Sequence, residues 1–201
     1  MAIDKPPEWE IYGAELMEPQ EPLRGRLTFS LDDGWILFDA ARERQLLARC
    51  ADGMSSILLG FLELHVAWPS GQFLYPIGYF GGGPQFWSPV SLKPPSAEER
   101  GVRFKARGLE SNVGISFSYV DGGAWETCFD PVSGWLVYRE PGAKAERAAM
   151  FADNCIAGLA QHRLVELWLK PEMIGSPAVG YRRSRSWLHT LLSKLRRTIG
   201  N

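Results

Sequence analysis

The chain has no excess of charge of either sign. Its 201 residues carry 22 Lys and Arg against 23 Asp and Glu, a formal net charge of −1. A near-neutral chain has no global electrostatic reason to seek nucleic acid or an acidic membrane, so no nucleic-acid partner is expected. Cysteine is scarce: Cys50, Cys128 and Cys155. An odd number without CxxC spacing argues against a disulfide framework and against a zinc site. No apolar stretch follows Met1-Ala2-Ile3-Asp4-Lys5, so a secretory signal is not expected there. The longest apolar-rich run, Ile57–Trp68, is broken by Glu63 and His65 and is too short to span a bilayer. Reduced thiols and no export signal point to the cytoplasm. Catalytic motifs are missing as well. The chain has no GxSxG elbow, no HExxH and no lysine placed after its glycines as in a phosphate-binding loop.

Aromatics are abundant, with eight Trp and ten Phe. Such an excess serves either a well-filled core or a binding surface. Hydrophobic periodicity organises the rest. Between residues 102 and 140, Val102, Phe104 and Ala106 alternate with charged residues. Val113, Ile115, Phe117 and Tyr119 alternate with Gly114, Ser116 and Ser118. A period of two marks strands with one buried face. With turns at Asp121-Gly122-Gly123 and Asp130–Gly134, the stretch 102–140 predicts a four-stranded antiparallel meander. Leu27–Leu31 and Trp35–Phe38, joined by Asp32-Asp33-Gly34, predict a hairpin over 27–38.

Two main helices are expected. Asp39 caps the first, over Ala40–Cys50, with Gly53 as a stop. The second is the alanine-rich stretch Ala145–Leu159, where Ala148, Phe151, Ala152, Cys155 and Leu159 stand at helical spacing. Met54–Trp68 reads as a helix giving way to a strand near Phe61. Phe73–Phe80, interrupted by Pro76, reads as a strand at a sheet edge. Trp35 and Trp135 each follow a turn glycine, and both halves read hairpin, helix, strand, proline, which suggests a pseudo-repeat. Residues 1–26 form an extended arm with a short strand near Trp9–Tyr12, residues 27–171 one α+β domain, and residues 172–201 a link and a last helix. In that helix, over Arg182–Ile199, Trp187, Leu188, Leu191, Leu192 and Leu195 make an apolar face among six basic residues. Docking of this face on the body is preferred to peripheral contact with an anionic membrane.

Four residues could do acid–base work. Glu63 and His65 share a strand face, and His162 and Glu166 stand one helical turn apart if the second helix runs on. Satisfied structural roles are the simpler reading. Asp32-Asp33 and Asp121 are what hairpin turns need, and neither supplies enough oxygen ligands for a hard cation. Cys128 has no basic neighbour in sequence and reads as a core thiol. After Gly81-Gly82-Gly83, Pro84 to Pro89 cannot start a regular helix, which argues against a phosphate cradle. What that loop displays is Tyr79, Phe80, Phe86 and Trp87, aromatics suited to a protein partner or to folding back on the core. No metal and no cofactor are implied. The expectation is a non-enzymatic protein-interaction module with another protein as partner. By analogy of type, with no motif matched, it resembles bacterial immunity proteins, which neutralise a toxin domain by binding it. Rival readings are a small-ligand binder with an aromatic pocket and an enzyme built on the Glu/His residues.

Overall fold

A computed structural model describes residues 10–50, 52–79, 87–107, 114, 116–120 and 124–175. About 60% of these lie in strands and 5% in helix. The elements are β1 Glu10–Pro19, β2 Gly25–Ser30, β3 Trp35–Ala40, α1 Glu43–Arg49, β4 Met54–Leu59, β5 Leu62–Ala67, β6 Phe73–Tyr79, β7 Ser88–Pro89, β8 Glu98–Arg107, β9 Ser116–Val120, β10 Glu126–Phe129, β11 Leu136–Arg139, β12 Arg147–Ala152, β13 Cys155–Ala160, β14 Arg163–Leu169 and β15 Glu172–Ile174. They form an eight-stranded sheet in the order β1-β8-β12-β13-β14-β11-β10-β7 and a seven-stranded sheet in the order β15-β2-β3-β6-β5-β4-β9. Both sheets are mixed, with parallel pairs at β10–β7 and β12–β8 in the first and at β15–β2 and β4–β9 in the second.

The two sheets share one core. Alternation sends Leu27 and Phe29 of β2, Ile36 and Phe38 of β3, and Leu62, Leu64 and Val66 of β5 to the same side. They meet Phe104, Leu136, Phe151 and Leu167 of the other sheet. The ring of Phe73 on β6 lies 4.5 Å from Phe104 and 5.5 Å from Phe151, the latter edge-on. Burial of each such ring contributes about 2–3 kcal/mol. A second, smaller cluster covers the far face of the eight-stranded sheet, where Cys128, Val137, Ile156 and Trp168 are overlaid by Leu92, Ala97 and Trp135.

The α+β expectation is overturned. Helix α1 is the one helix among the described residues, and it is short, with no buried residue. The second main helix is a hairpin: Ala145–Leu159 holds most of β12 and β13, paired antiparallel. Ala148, Phe151, Ala152, Cys155 and Leu159 fit a helical stripe, but every one of them is buried and Asn154 adopts φ +62° at a turn. β12 and β13 lie inside the eight-stranded sheet with both faces covered, so their small apolar residues form a run without alternation. The pseudo-repeat fails with that helix. Trp35 is exposed on β3, whereas Trp135 packs edge-on to Trp168 at 6.4 Å beside the other sheet.

The single antiparallel meander is also corrected. β8 pairs with β1 and β12, β9 joins the seven-stranded sheet beside β4, and only β10–β11 is a local hairpin. Met54–Trp68 is no helix but the hairpin β4–β5, turned at Gly60 with φ +65°. β6 is an inner strand rather than an edge. Its ladder to β3 stops at Ile36↔Gly78, so Pro76 needs no hydrogen bond on that side. The 27–38 hairpin is present as β2–β3, with Leu27 opposite Phe38. Residues 10–19 of the expected arm form β1, and residues 172–174 of the expected link form β15. Trp9, Val113, Ile115, Asp121 and the amphipathic stretch Arg182–Ile199 lie outside the described residues. No helix among the described residues is long and apolar enough to cross a membrane.

Candidate functional site

The outer face of the seven-stranded sheet is built by the same alternation that fills the core. Because Ile36 and Phe38 point inward, Trp35, Leu37 and Asp39 point out. Trp35 stands opposite Tyr79 in the β3–β6 ladder. Phe61, in the β4–β5 turn, meets the Tyr79 ring edge-on at 6.4 Å. Glycines let these rings approach the backbone. A Cβ on Gly34 would stand 3.0 Å from the Tyr79 ring, and one on Gly78, at φ +117°, would touch the Phe61 carbonyl and the Trp35 ring. Trp35 is 48% exposed, Leu37 50%, Phe61 68% and Tyr79 41%. Large apolar side chains gathered this way on a monomer mark an interaction surface more often than scattered ones do, and Trp and Tyr lead among interface anchors.

The four aromatics expected to act together are split. Tyr79 belongs to this exposed face. Trp87 is buried between Phe29 and Phe129, at 5.0 and 5.3 Å. It folds back on the core. Phe80 and Phe86 lie outside the described residues.

The acid–base candidates are split too. Glu63 and His65 are neighbours on β5, with Oε2 and Nε2 3.6 Å apart. Burial holds the His65 imidazole below its ordinary pKa, against the pull of Glu63. Its ring tilts over Tyr75 at 5.0 Å, Tyr75 stacks on Phe38 at 5.6 Å, and Nδ1 has no hydrogen-bond partner among the described residues. His162 is a turn residue at φ +61° whose carbonyl accepts from the Ala14 N–H at 2.6 Å. Glu166 lies on the far face of the other sheet. The register slips between Gly158 and Leu159, placing Val165 in a bulge and turning Glu166 and Trp168 to one side. There the Trp168 indole N–H donates to the Glu166 carboxylate at 2.9 Å. His162 and Glu166 are therefore no helical pair, and the four residues do not converge on one site.

A separate cleft of about 400 Å³ opens where β9 faces β1 and β14. Tyr12, Tyr119, Trp125, Glu140 and Arg163 line it. The Arg163 guanidinium donates to Glu140 at 2.6 Å. The Tyr119 hydroxyl donates to the Leu164 carbonyl at 3.1 Å, and burial raises its pKa. None of Glu63, His65, His162 and Glu166 is among its described lining residues.

The described residues contain no group of three His, Cys, Asp or Glu suited to a metal ion. Cys128 has a basic neighbour in space that its sequence neighbourhood did not show: Arg139 Nη2 lies 3.8 Å from Sγ. Burial still raises the thiol's pKa, which favours an unreactive core cysteine.

Sequence reasoning missed Trp35, Leu37 and Phe61. A signal existed: Trp35–Phe38 is apolar on both faces of the strand, which a half-solvated strand has no need to be. Tyr12, Tyr119, Trp125, Glu140 and Arg163 had no such signal, since pairing of distant strands brings them together. No protein-family model, curated protein or solved structure matches the chain.

Proposed function

We propose that this chain is a non-enzymatic protein-interaction module that binds another protein through the outer face of its seven-stranded sheet. One observation carries the reading: Trp35, Leu37 and Tyr79, exposed on the regular strands β3 and β6, form an apolar cluster with Phe61 of the β4–β5 turn. Anchors on a sheet hold their geometry before binding, so little ordering entropy is lost on association. An immunity or antitoxin role, in which the partner is a toxin domain, is the finer form of the proposal. The setting is the cytoplasm, where Cys50, Cys128 and Cys155, all free, stay reduced.

The test compares the wild-type chain with a Trp35→Ser, Phe61→Ser, Tyr79→Ser variant of matched circular dichroism. Each is used to capture partners from the native host, followed by cross-linking and mass spectrometry. One partner bound by wild type, cross-linked near β3 and β6 and lost from the variant, supports the proposal. A partner retained by the variant, or none at all, overturns it.

The cleft favours a second reading, a small-ligand binder. It combines aromatic walls with a fixed Arg–Glu pair, the mix of apolar lining and few polar groups that ligand sites show. A ligand that raises the melting temperature of wild type but not of Arg163→Ala would favour this reading over the first.

A further inference from the structure

The exposed sheet face has a candidate cover within the same chain. β15 is the edge strand beside β2, and Gly175 follows it against the Asp32 carboxylate at the β2–β3 turn. That turn leads directly into Trp35. The chain therefore leaves the described fold at the corner of the sheet where the aromatic cluster begins. At about 4.8 Å per strand, β3 and β6 lie roughly 10 and 14 Å from β15. The five residues 176–180 can span up to about 17 Å, so residues 181 onward are within reach of Trp35 and Tyr79.

Charge points the same way. Six of the 22 Lys and Arg, and none of the 23 Asp and Glu, lie in residues 176–201, so that segment carries +6 and residues 1–175 carry −7. The seven strands of this sheet hold one arginine, Arg26, against Asp39, Glu63 and Glu172. Asp32 and Asp33 add two exposed carboxylates at its corner. Arg26 is already paired with Glu172 at 2.7 Å. The exposed aromatic cluster is thus flanked by carboxylates, at the β2–β3 corner and on the inner strands β3 and β5. The segment Arg182–Ile199 has the converse pattern in sequence, with Trp187, Leu188, Leu191, Leu192 and Leu195 at helical spacing among basic residues. At helical rise, Trp187 and Leu195, eight positions apart, would be separated by about 12 Å along the axis, close to the roughly 10 Å from β3 to β5.

We propose that residues 181–199 dock on the outer face of the seven-stranded sheet, laying the Trp187–Leu195 stripe over Trp35, Phe61 and Tyr79. Resting on the protein-binding reading of that face, the segment acts as a built-in competitor that a protein partner displaces. The occupant is the chain's own segment, and its basic residues meet Asp32, Asp33, Asp39 and Glu63.

Hydroxyl-radical footprinting of the full chain tests the docking without any partner. The comparison variant is Trp187→Ser, Leu191→Ser, Leu195→Ser, which leaves the described residues intact. Trp35, Phe61 and Tyr79 should label about tenfold more slowly in wild type, the factor expected when roughly nine molecules in ten are docked. Zero-length carbodiimide cross-linking of wild type gives a second readout that needs no variant: Lys194 should link to Asp32, Asp33, Asp39 or Glu63. Equal labelling of the two chains, or Lys194 links only to carboxylates elsewhere, overturns the proposal. So does co-sedimentation of wild type with phosphatidylserine vesicles when its labelling matches the variant's, which assigns the segment to a membrane surface. Partner capture separates the two proposals. If the labelling difference is found but neither chain captures a partner, docking stands and the protein-binding reading falls.

Discussion

Replacing Asp130 should destabilise the protein in a pH-dependent way, and the geometry sets the size of the effect. Asp130 is buried at the turn between β10 and β11. Its Oδ1 accepts the Val132 and Ser133 N–H groups at 2.8 and 3.3 Å, and its Oδ2 accepts the Leu92 N–H at 3.0 Å. The first two bonds close the turn. The third pins the 90–97 segment, whose Leu92 and Ala97 cover the far face of the eight-stranded sheet. Hydrogen bonds to a charged group contribute about 1.5–3 kcal/mol each. Val132 and Ser133 regain water once the carboxylate is gone, so only part of their contribution is lost. Leu92 retains less access to solvent. Asp130→Ala should then cost about 2–4 kcal/mol, or roughly 4–16 °C in Tm for a chain of this size. Asp130→Asn should cost nearly as much, because its NH2 group would face either the Leu92 N–H or the turn donors.

Burial raises the Asp130 pKa, but the Leu92, Val132 and Ser133 donors together outweigh it and hold the pKa below its ordinary value of 3.8. A depressed carboxylate contributes stability that is fully present above about pH 4 and is lost as pH falls through the folded value. Urea unfolding of wild type and Asp130→Asn should therefore differ at pH 7 and converge at lower pH. A gap that stays constant down to pH 2, or one under about 0.5 kcal/mol at pH 7, would refute the reasoning.

Three further outcomes are expected. Phe117→Ala removes a fully buried ring and should cost about 3–5 kcal/mol in chemical denaturation, with a wild-type midpoint counting against its core position. Gly158→Ala places a methyl 2.8 Å from the Ala145 Cβ and 3.0 Å from the Glu166 Cβ, so overpacking should cost about 1–3 kcal/mol, and an unchanged Tm would mean that both neighbours yield. Burial keeps His65 neutral below its usual 6.5, so between that value and the folded pKa the unfolded chain binds the extra proton and wild-type stability falls as pH drops. His65→Phe should remove this acid-side loss, and identical pH profiles for the two proteins would show that His65 does not titrate in that window.

The sequence by itself determined what is local. The 27–38 hairpin follows from Leu27 and Phe29 alternating with polar residues on either side of Asp32-Asp33-Gly34, a pattern whose meaning is complete within a dozen residues. Alternation likewise marked Phe117 as a core residue, whereas Tyr79 was read as a displayed residue from its place beside the Gly81-Gly82-Gly83 loop. Tertiary structure alone decided three things. It made Ala145–Leu159 a hairpin, because a strand covered on both faces has no alternation, and small apolar residues then satisfy helical spacing equally well. It separated Glu63 and His65 from Glu166, because they belong to opposite sheets, and a one-residue bulge at Val165 decides which way Glu166 points. It assembled the Trp35, Phe61 and Tyr79 cluster and the Tyr12–Trp125 cleft from strands far apart in the chain. Strand pairing across long sequence separations leaves no periodic signature in any one segment, so a mixed β-sandwich hides both its topology and its surfaces from local reading.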